Sequence, residues 1–159
     1  MVSGCLNFEE FEEQAQKVTM TFCAKMEGQP ATKTVLGEKN LEGITPVLWM
    51  LQDEIGVAPA DNSLTFFDKF LNKNTSVSEN TVFEGKTSVS SSYYSIYPYD
   101  NNTVIQSDSV IFNINNVQTY KESSFDQGVF PMVARSSDTG ENGFQFKNLC
   151  GVLEINLTG

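Results

Sequence analysis

The stretch that decides the fold class is an alternating segment near the end of the printed sequence, Phe144-Gln145-Phe146-Lys147-Asn148-Leu149-Cys150-Gly151-Val152-Leu153-Glu154-Ile155-Asn156-Leu157. Apolar and polar residues alternate through most of it, and a period of two is typical of a strand with one buried face and one wet face. We therefore expect strands at residues 144–146 and 149–157. The chain reads as the N-terminal domain of a longer protein.

Similar short apolar runs, separated by turn residues, precede this segment at residues 18–26, 32–36, 47–51, 55–58, 64–67, 81–83, 93–97, 104–106, 110–114 and 131–134. So many short strands favour a β-sandwich or barrel, and the absence of alternating helices disfavours a parallel α/β sheet. Only residues 68–71 suggest an additional helical turn. We expect an all-β domain over residues 18–159, either a sandwich or a barrel.

Residues 1–17 differ in pattern from the rest and are expected to form an N-terminal arm. Asn7 and Glu10 resemble a helix-capping pair, and Phe8, Phe11 and Ala15 would share one face of a short helix. The arm also contains Cys5 after Val2-Ser3-Gly4, a pattern that precedes the lipid-modified cysteine of bacterial lipoproteins. Cys5 is therefore a candidate lipidation site that would tether the domain.

The charge balance argues against several classes of partner. Twenty acidic and ten basic residues give a net charge of −10, and Arg135 is the only arginine. Binding to a phosphate backbone requires clustered cations, so we expect no nucleic-acid partner.

The residues needed for common catalytic sites are largely missing from the sequence. Histidine is absent, and neither a glycine-rich phosphate loop nor a nucleophile elbow occurs. Carboxylate pairs such as Asp53 with Glu54 could support hydrolysis, but neighbouring residues on a strand point to opposite faces. We expect no catalytic residues, no cofactor and no metal site.

Two features leave alternatives open. Cys23 and Cys150 lie in the first and last predicted strands and are either small buried side chains or a disulfide between those strands. Tyr93, Tyr97 and Tyr99 would share one face of a strand, where they are either ordinary core and rim residues or a stacking platform for a sugar or peptide.

Several weak motifs occur in an order that resembles the fimbrillin-like (Mfa-like) family of surface and pilus proteins of Gram-negative anaerobes. The resemblance covers residues 18–159. Its motifs are Thr32-Lys33-Thr34-Val35-Leu36, Trp49 ahead of Asp53-Glu54-Ile55-Gly56-Val57, Val82-Phe83-Glu84-Gly85, Tyr93-Tyr94-Ser95-Ile96-Tyr97-Pro98-Tyr99, Gln118 ahead of Ser124-Phe125-Asp126, Pro131-Met132-Val133-Ala134-Arg135, and Phe146-Lys147-Asn148-Leu149-Cys150-Gly151-Val152-Leu153.

The resemblance implies a Greek-key β-sandwich of transthyretin-like topology, followed by a second sandwich domain. In pilus-forming relatives a protease removes an N-terminal strand, and a strand of the neighbouring subunit takes its place. The exchanged face in this chain would be Val18, Met20, Phe22, Ala24 and Met26. Processing in such relatives uses an arginine, and no arginine precedes Arg135.

The resulting hypothesis is a non-enzymatic structural or adhesive module of the cell surface, either a pilus subunit or part of a lipid-anchored outer-membrane protein. Its partners would be neighbouring pilin or surface-protein subunits, together with a host or glycan ligand. The alternative hypothesis is a different class of function, a glycan- or peptide-binding module that uses the Tyr93, Tyr97 and Tyr99 row. A histidine-free hydrolase is a third hypothesis, which would require carboxylates converging in a cleft.

Overall fold

A computed structural model of the protein describes residues 16–26, 35–36, 47–60, 66–106, 109–113, 117, 119–120, 128–137 and 143–150. All regular secondary structure within these ranges is β-strand. The prediction of an all-β fold is therefore confirmed for this part of the chain. The predicted helical arm and Cys5 lie outside the described residues.

The strands follow one another in chain order and are mostly short. They are β1 (Lys17–Met26), β2 (Val35–Leu36), β3 (Val47–Leu48), β4 (Glu54–Pro59), β5 (Asp68–Asn72), β6 (Thr81–Ser88), β7 (Tyr93–Tyr97), β8 (Val104–Gln106), β9 (Ser109–Ile111), β10 (Met132–Ser136) and β11 (Phe144–Asn148).

Seven of these strands form one closed barrel in the order β1-β11-β10-β7-β4-β5-β6, with β6 returning to β1. The predicted antiparallel Greek-key sandwich of transthyretin-like topology is therefore wrong. A sandwich has two sheets with separate edges, whereas here β1 joins both ends of a single sheet and leaves one continuous ring. The pairing of β1 with β11 is parallel, and the other six contacts in the ring are antiparallel.

Alternating side chains from the ring fill its interior. On β11, Phe144 and Phe146 are buried while Gln145 and Lys147 are exposed, as a period of two requires. Trp49, which lies outside the named strands, packs edge-to-face against Phe83, Tyr97 and Phe146 with ring centroids 5.1, 5.5 and 5.3 Å away. The interior is thus packed mainly with aromatic side chains.

A second apolar layer lies on the outer side of β4 and β7. Ala58, Phe67 and Ile96 are buried there, and Ile105 and Val110 of the β8–β9 hairpin pack against them. Because this layer covers the outer face, β4 is buried on both sides. This explains why residues 55–58 read as a continuous apolar run.

Two of the predicted elements differ from the observed ones. The predicted helical turn at residues 68–71 is wrong, because Phe70 points into the core between the exposed Lys69 and Leu71 and the segment is strand β5. The strand predicted from residue 149 does not begin there, because β11 ends at Asn148 and Leu149 is exposed. One backbone hydrogen bond still follows the last strand pair, because the Leu149 N–H donates to the Pro131 carbonyl at 3.0 Å.

Replacing Trp49 by alanine should lower the free energy of unfolding by about 3–5 kcal/mol, because it leaves a cavity among three aromatic rings. Chemical denaturation followed by circular dichroism measures the change. The matched control is Phe66→Ala at a side chain that is 63% exposed, which should change stability by less than about 0.5 kcal/mol. Equal effects of the two substitutions would contradict the assigned core.

Candidate functional site

Strand β1 carries the residues that the family resemblance implies as the exchanged face. Phe22 and Ala24 are fully buried, and Met20 and Met26 are half-buried against the same core cluster. Val18, at the start of the strand, is 37% exposed. All but the first of these side chains therefore contribute to the closed interior.

Phe22 makes the most extensive aromatic contacts of this strand. Its ring centroid lies 5.6 Å from that of Phe70 on β5, 5.0 Å from Tyr93 on β7 and 4.7 Å from Phe144 on β11. The hydroxyl of Tyr93 also lies 3.4 Å from the sulfur of Met20. One face of β1 thus holds three other strands of the barrel together.

The two edges of β1 differ greatly in the length of their pairing. On one edge, residues 17–24 pair with residues 81–88 of β6 in antiparallel register. On the other edge, the described strands pair only residues 24–26 with residues 144–146 of β11, in parallel register. We call this short pairing the seam, because it is the parallel contact in a ring of described strands that is otherwise antiparallel.

A glycine at the start of β11 allows the seam to form. A Cβ atom placed on Gly143 would clash with the carbonyl oxygen of Cys23 and lie 3.1 Å from its nitrogen. The contact is with backbone of β1, which cannot rotate away as a side chain would. Any larger residue at position 143 must therefore push β11 away from β1.

The two described cysteines are not bonded to each other. Cys23 is half-buried on β1, and Cys150 is exposed just beyond β11. The disulfide alternative is therefore absent from this structure, and neither thiol is fully enclosed. Cys5 lies outside the described residues, so its candidate lipidation stays a prediction.

The tyrosine row does not form a shared exposed surface. Tyr93 and Tyr97 are 3% and 1% exposed and belong to the barrel core. Tyr99 follows the cis Tyr97–Pro98 bond and packs on the outer apolar layer. The three rings are thus divided between the inside and the outside of the barrel wall.

A buried carboxylate is the most unusual polar feature of the interior. Asp53 is 1% exposed, and its Oδ1 accepts a hydrogen bond of 3.0 Å from the Tyr97 hydroxyl. Its Oδ2 accepts one of 2.6 Å from the Met50 N–H. Burial first, and then the negative charge of Asp53, raise the pKa of Tyr97 well above its ordinary value of 10.0. The pair joins the turn before β4 to β7.

From the sequence, Asp53 was a candidate only as half of a carboxylate pair with Glu54. The sequence did not reveal the bond to Tyr97, because the two residues are distant in sequence and meet only in the folded barrel. In the described part of the chain, no group of three or more His, Cys, Asp and Glu side chains could hold a metal ion. The same residues contain no helix long and apolar enough to span a membrane.

Comparison of the chain with models of protein families, with curated proteins and with solved structures finds no match in any of the three.

Replacing Gly143 by alanine should lower the free energy of unfolding by about 1–3 kcal/mol, the usual cost of forcing an atom into a packed region. The physical reason is the clash with the Cys23 carbonyl. Denaturant unfolding measures the loss, with Gln145→Ala on the exposed face of β11 as the control. A Gly143→Ala protein as stable as the control would show that the seam is looser than described.

Replacing Tyr97 by phenylalanine should lower the free energy of unfolding near neutral pH by roughly 1–3 kcal/mol, because Asp53 loses a buried donor. Tyr120→Phe, at a side chain that is 85% exposed, is the matched control and should have no effect. The comparison requires only denaturation curves of three proteins.

The stability difference between the wild type and Tyr97→Phe should shrink above pH 10. There the unfolded tyrosine loses its proton while the folded one, with its raised pKa, keeps it, so the unfolded state binds fewer protons. The wild type should therefore lose an additional ~1.4 kcal/mol per pH unit relative to the variant. A constant difference between about pH 9 and pH 11 would contradict the raised pKa.

Proposed function

We propose that this chain is a non-enzymatic structural module of the cell surface, and that neighbouring subunits join it by strand addition at the position of β1. The observation that carries the proposal is the pairing of β1, which is long on the β6 edge and short at the seam. A strand held in this way is suited to replacement by a strand of the same pattern from another chain.

The strands that contact β1 provide both the backbone partners and the side-chain pocket that strand addition requires. The backbone of β6 pairs with β1 over residues 81–88 and would present the same hydrogen-bonding groups to an incoming strand. The Phe22 ring fills a pocket formed by Phe70, Tyr93 and Phe144. This pocket would accept an aromatic side chain of an incoming strand at one fixed register position. Burying such a ring contributes about 1.5–3 kcal/mol.

Loss of β1 would also expose surfaces of the barrel that favour binding of another strand. The edges of β6 and β11 would lose a ladder partner, and the aromatic core around Phe22 would meet water. Exposed edges and exposed aromatic rings are the features that draw a further strand into a sheet. A donor strand from a neighbouring subunit removes both.

The resemblance to the fimbrillin-like family supports the same proposal from the sequence. It implies a module of the outer membrane or of an extracellular pilus, with neighbouring pilin or surface-protein subunits as partners. The candidate lipidation site at Cys5 would serve as the tether in the membrane-anchored form. The alternative ligand platform at Tyr93, Tyr97 and Tyr99 loses its support, since two of its rings are in the core.

The proposal is tested by exchanging β1 for a synthetic copy. A protease site is introduced within residues 27–34, the protein is folded and cleaved, and a fluorescent peptide of residues 16–26 is added in excess. We expect the labelled peptide to enter the barrel and to remain bound through gel filtration. After removal of all free and bound peptide, the cleaved chains should form multimers detectable by light scattering.

Two altered peptides serve as matched controls. A Phe22→Ala peptide should compete at least about tenfold less well, because its core contact is lost. A Thr21→Ala peptide, altered at an exposed position of the same strand, should compete as the unaltered peptide does. Equal competition by both peptides, or chains that stay monomeric without the peptide, would contradict strand addition.

A further inference from the structure

Ala24 occupies a narrow position of β1. We call the place that β1 takes between β6 and β11 the β1 seat. Ala24 is 1% exposed and belongs to the core. It is paired on both edges, with Thr81 of β6 in antiparallel register and with Phe144 of β11 in parallel register. Residues paired in this way point to the same face of a sheet, so the Ala24 methyl group lies between two larger side chains.

Both of these neighbouring side chains are held by other contacts. Thr81 is buried, and its hydroxyl donates a hydrogen bond to Oδ1 of Asn72. Phe144 is fully buried, with its ring centroid 4.7 Å from that of Phe22 and 6.0 Å from that of Phe146. Side chains packed in this way cannot rotate aside without losing those contacts. A larger residue at position 24 therefore gains no space from its neighbours.

The backbone on the β11 side of the seat cannot move closer or make room either. Gly143 already touches the backbone of Cys23, the residue before Ala24, so closely that a Cβ atom on the glycine would clash with the Cys23 carbonyl oxygen. Two residues earlier, the seat holds the whole ring of Phe22. The β1 seat thus combines a large pocket with a small one at the next position of the same face.

The positions on either side of this pair are less restricted. Met20 and Met26 are half-buried and pack against the core cluster. Met20 lies opposite Gly85 of β6, which has no side chain. Along the inner face, the seat therefore accepts an apolar residue, an aromatic residue, a small residue and a second apolar residue at alternate positions.

This order of sizes is uncommon in the sequence. An aromatic residue followed two positions later by Ala, Gly or Ser occurs at Phe22 with Ala24, Phe83 with Gly85, and Tyr93 with Ser95. The first of these pairs has apolar residues two positions before and after it, whereas Phe83 follows Thr81 and Tyr93 follows Ser91 at that spacing. A second copy of the chain therefore carries a fitting strand in its own β1.

We propose that the β1 seat selects its incoming strand by this order of sizes, with Ala24 marking the position that excludes large side chains. The inference rests on the proposed strand addition and names the partner that it uses. That partner is a strand with an aromatic residue and a small residue two positions later, between apolar residues, as β1 of a second copy provides. Hydrophobicity and alternation alone are not sufficient for entry.

Competition between peptides tests the selection. The full chain is cleaved within residues 27–34, and unlabelled variants of the peptide of residues 16–26 compete with the fluorescent peptide for the barrel. An Ala24→Leu peptide should compete at least about tenfold less well than the unaltered one, because leucine overfills the small pocket. A Thr21→Leu peptide, with the same new side chain at an exposed position, should compete as the unaltered peptide does.

A peptide with the two sizes exchanged separates order from composition. The double variant Phe22→Ala with Ala24→Phe has the same amino acids as the unaltered peptide but places the ring at the narrow position. It should compete no better than the Ala24→Leu peptide. Competition equal to that of the unaltered peptide, by either variant, would overturn the selection by size.

The uncleaved chain gives an independent measurement of the narrow position. Ala24→Leu should move the denaturation midpoint to lower denaturant concentration, and Thr21→Leu should leave it in place. Equal midpoints would overturn the size limit whether or not any peptide enters. If the unaltered peptide does not enter the cleaved barrel, strand addition fails and the partner rule fails with it. If it enters and the variants compete equally well, strand addition stands and the size rule alone is wrong.

Discussion

The packing of Phe22 is the interaction on which the closed barrel depends. Its ring contacts Phe70, Tyr93 and Phe144 at once, and these three residues come from β5, β7 and β11. Beside it, the β1 backbone completes the ring by pairing with β6 and β11. Without β1 the same residues would form an open sheet whose two edges and aromatic face are exposed to water.

Other contacts inside and outside the barrel hold the remaining strands in place. The hydrogen bond between Asp53 and Tyr97 ties the turn before β4 to the inner face of β7, and Trp49 packs beside it against Tyr97. On the outside, the β8–β9 hairpin covers β4 and β7. The barrel core and the outer apolar layer thus pack against opposite faces of the same two strands, β4 and β7.

The sequence predicted the alternation of faces much better than the arrangement of strands. A period of two correctly indicated an all-β fold and placed Phe144 and Phe146 on one face. It could not show that β1 pairs in parallel with β11, because that contact joins distant segments and determines whether the sheet closes. For the same reason the hydrogen bond between Asp53 and Tyr97 was missed, since these residues are 44 positions apart and meet only in the folded barrel. Residues 68–71 were misread because an isolated short segment contains too little periodicity to separate a helical turn from a strand.

The central claim is that β1 is the separable closing strand of an otherwise continuous sheet. Native-state hydrogen exchange of the backbone amides tests it most directly. The account predicts that the hydrogen-bonded amides of β1 exchange through an opening that requires less free energy than global unfolding, while those of β7 exchange only through global unfolding. Exchange of both strands at the same free energy would contradict the claim, because β1 would then be an inseparable part of a single cooperative barrel.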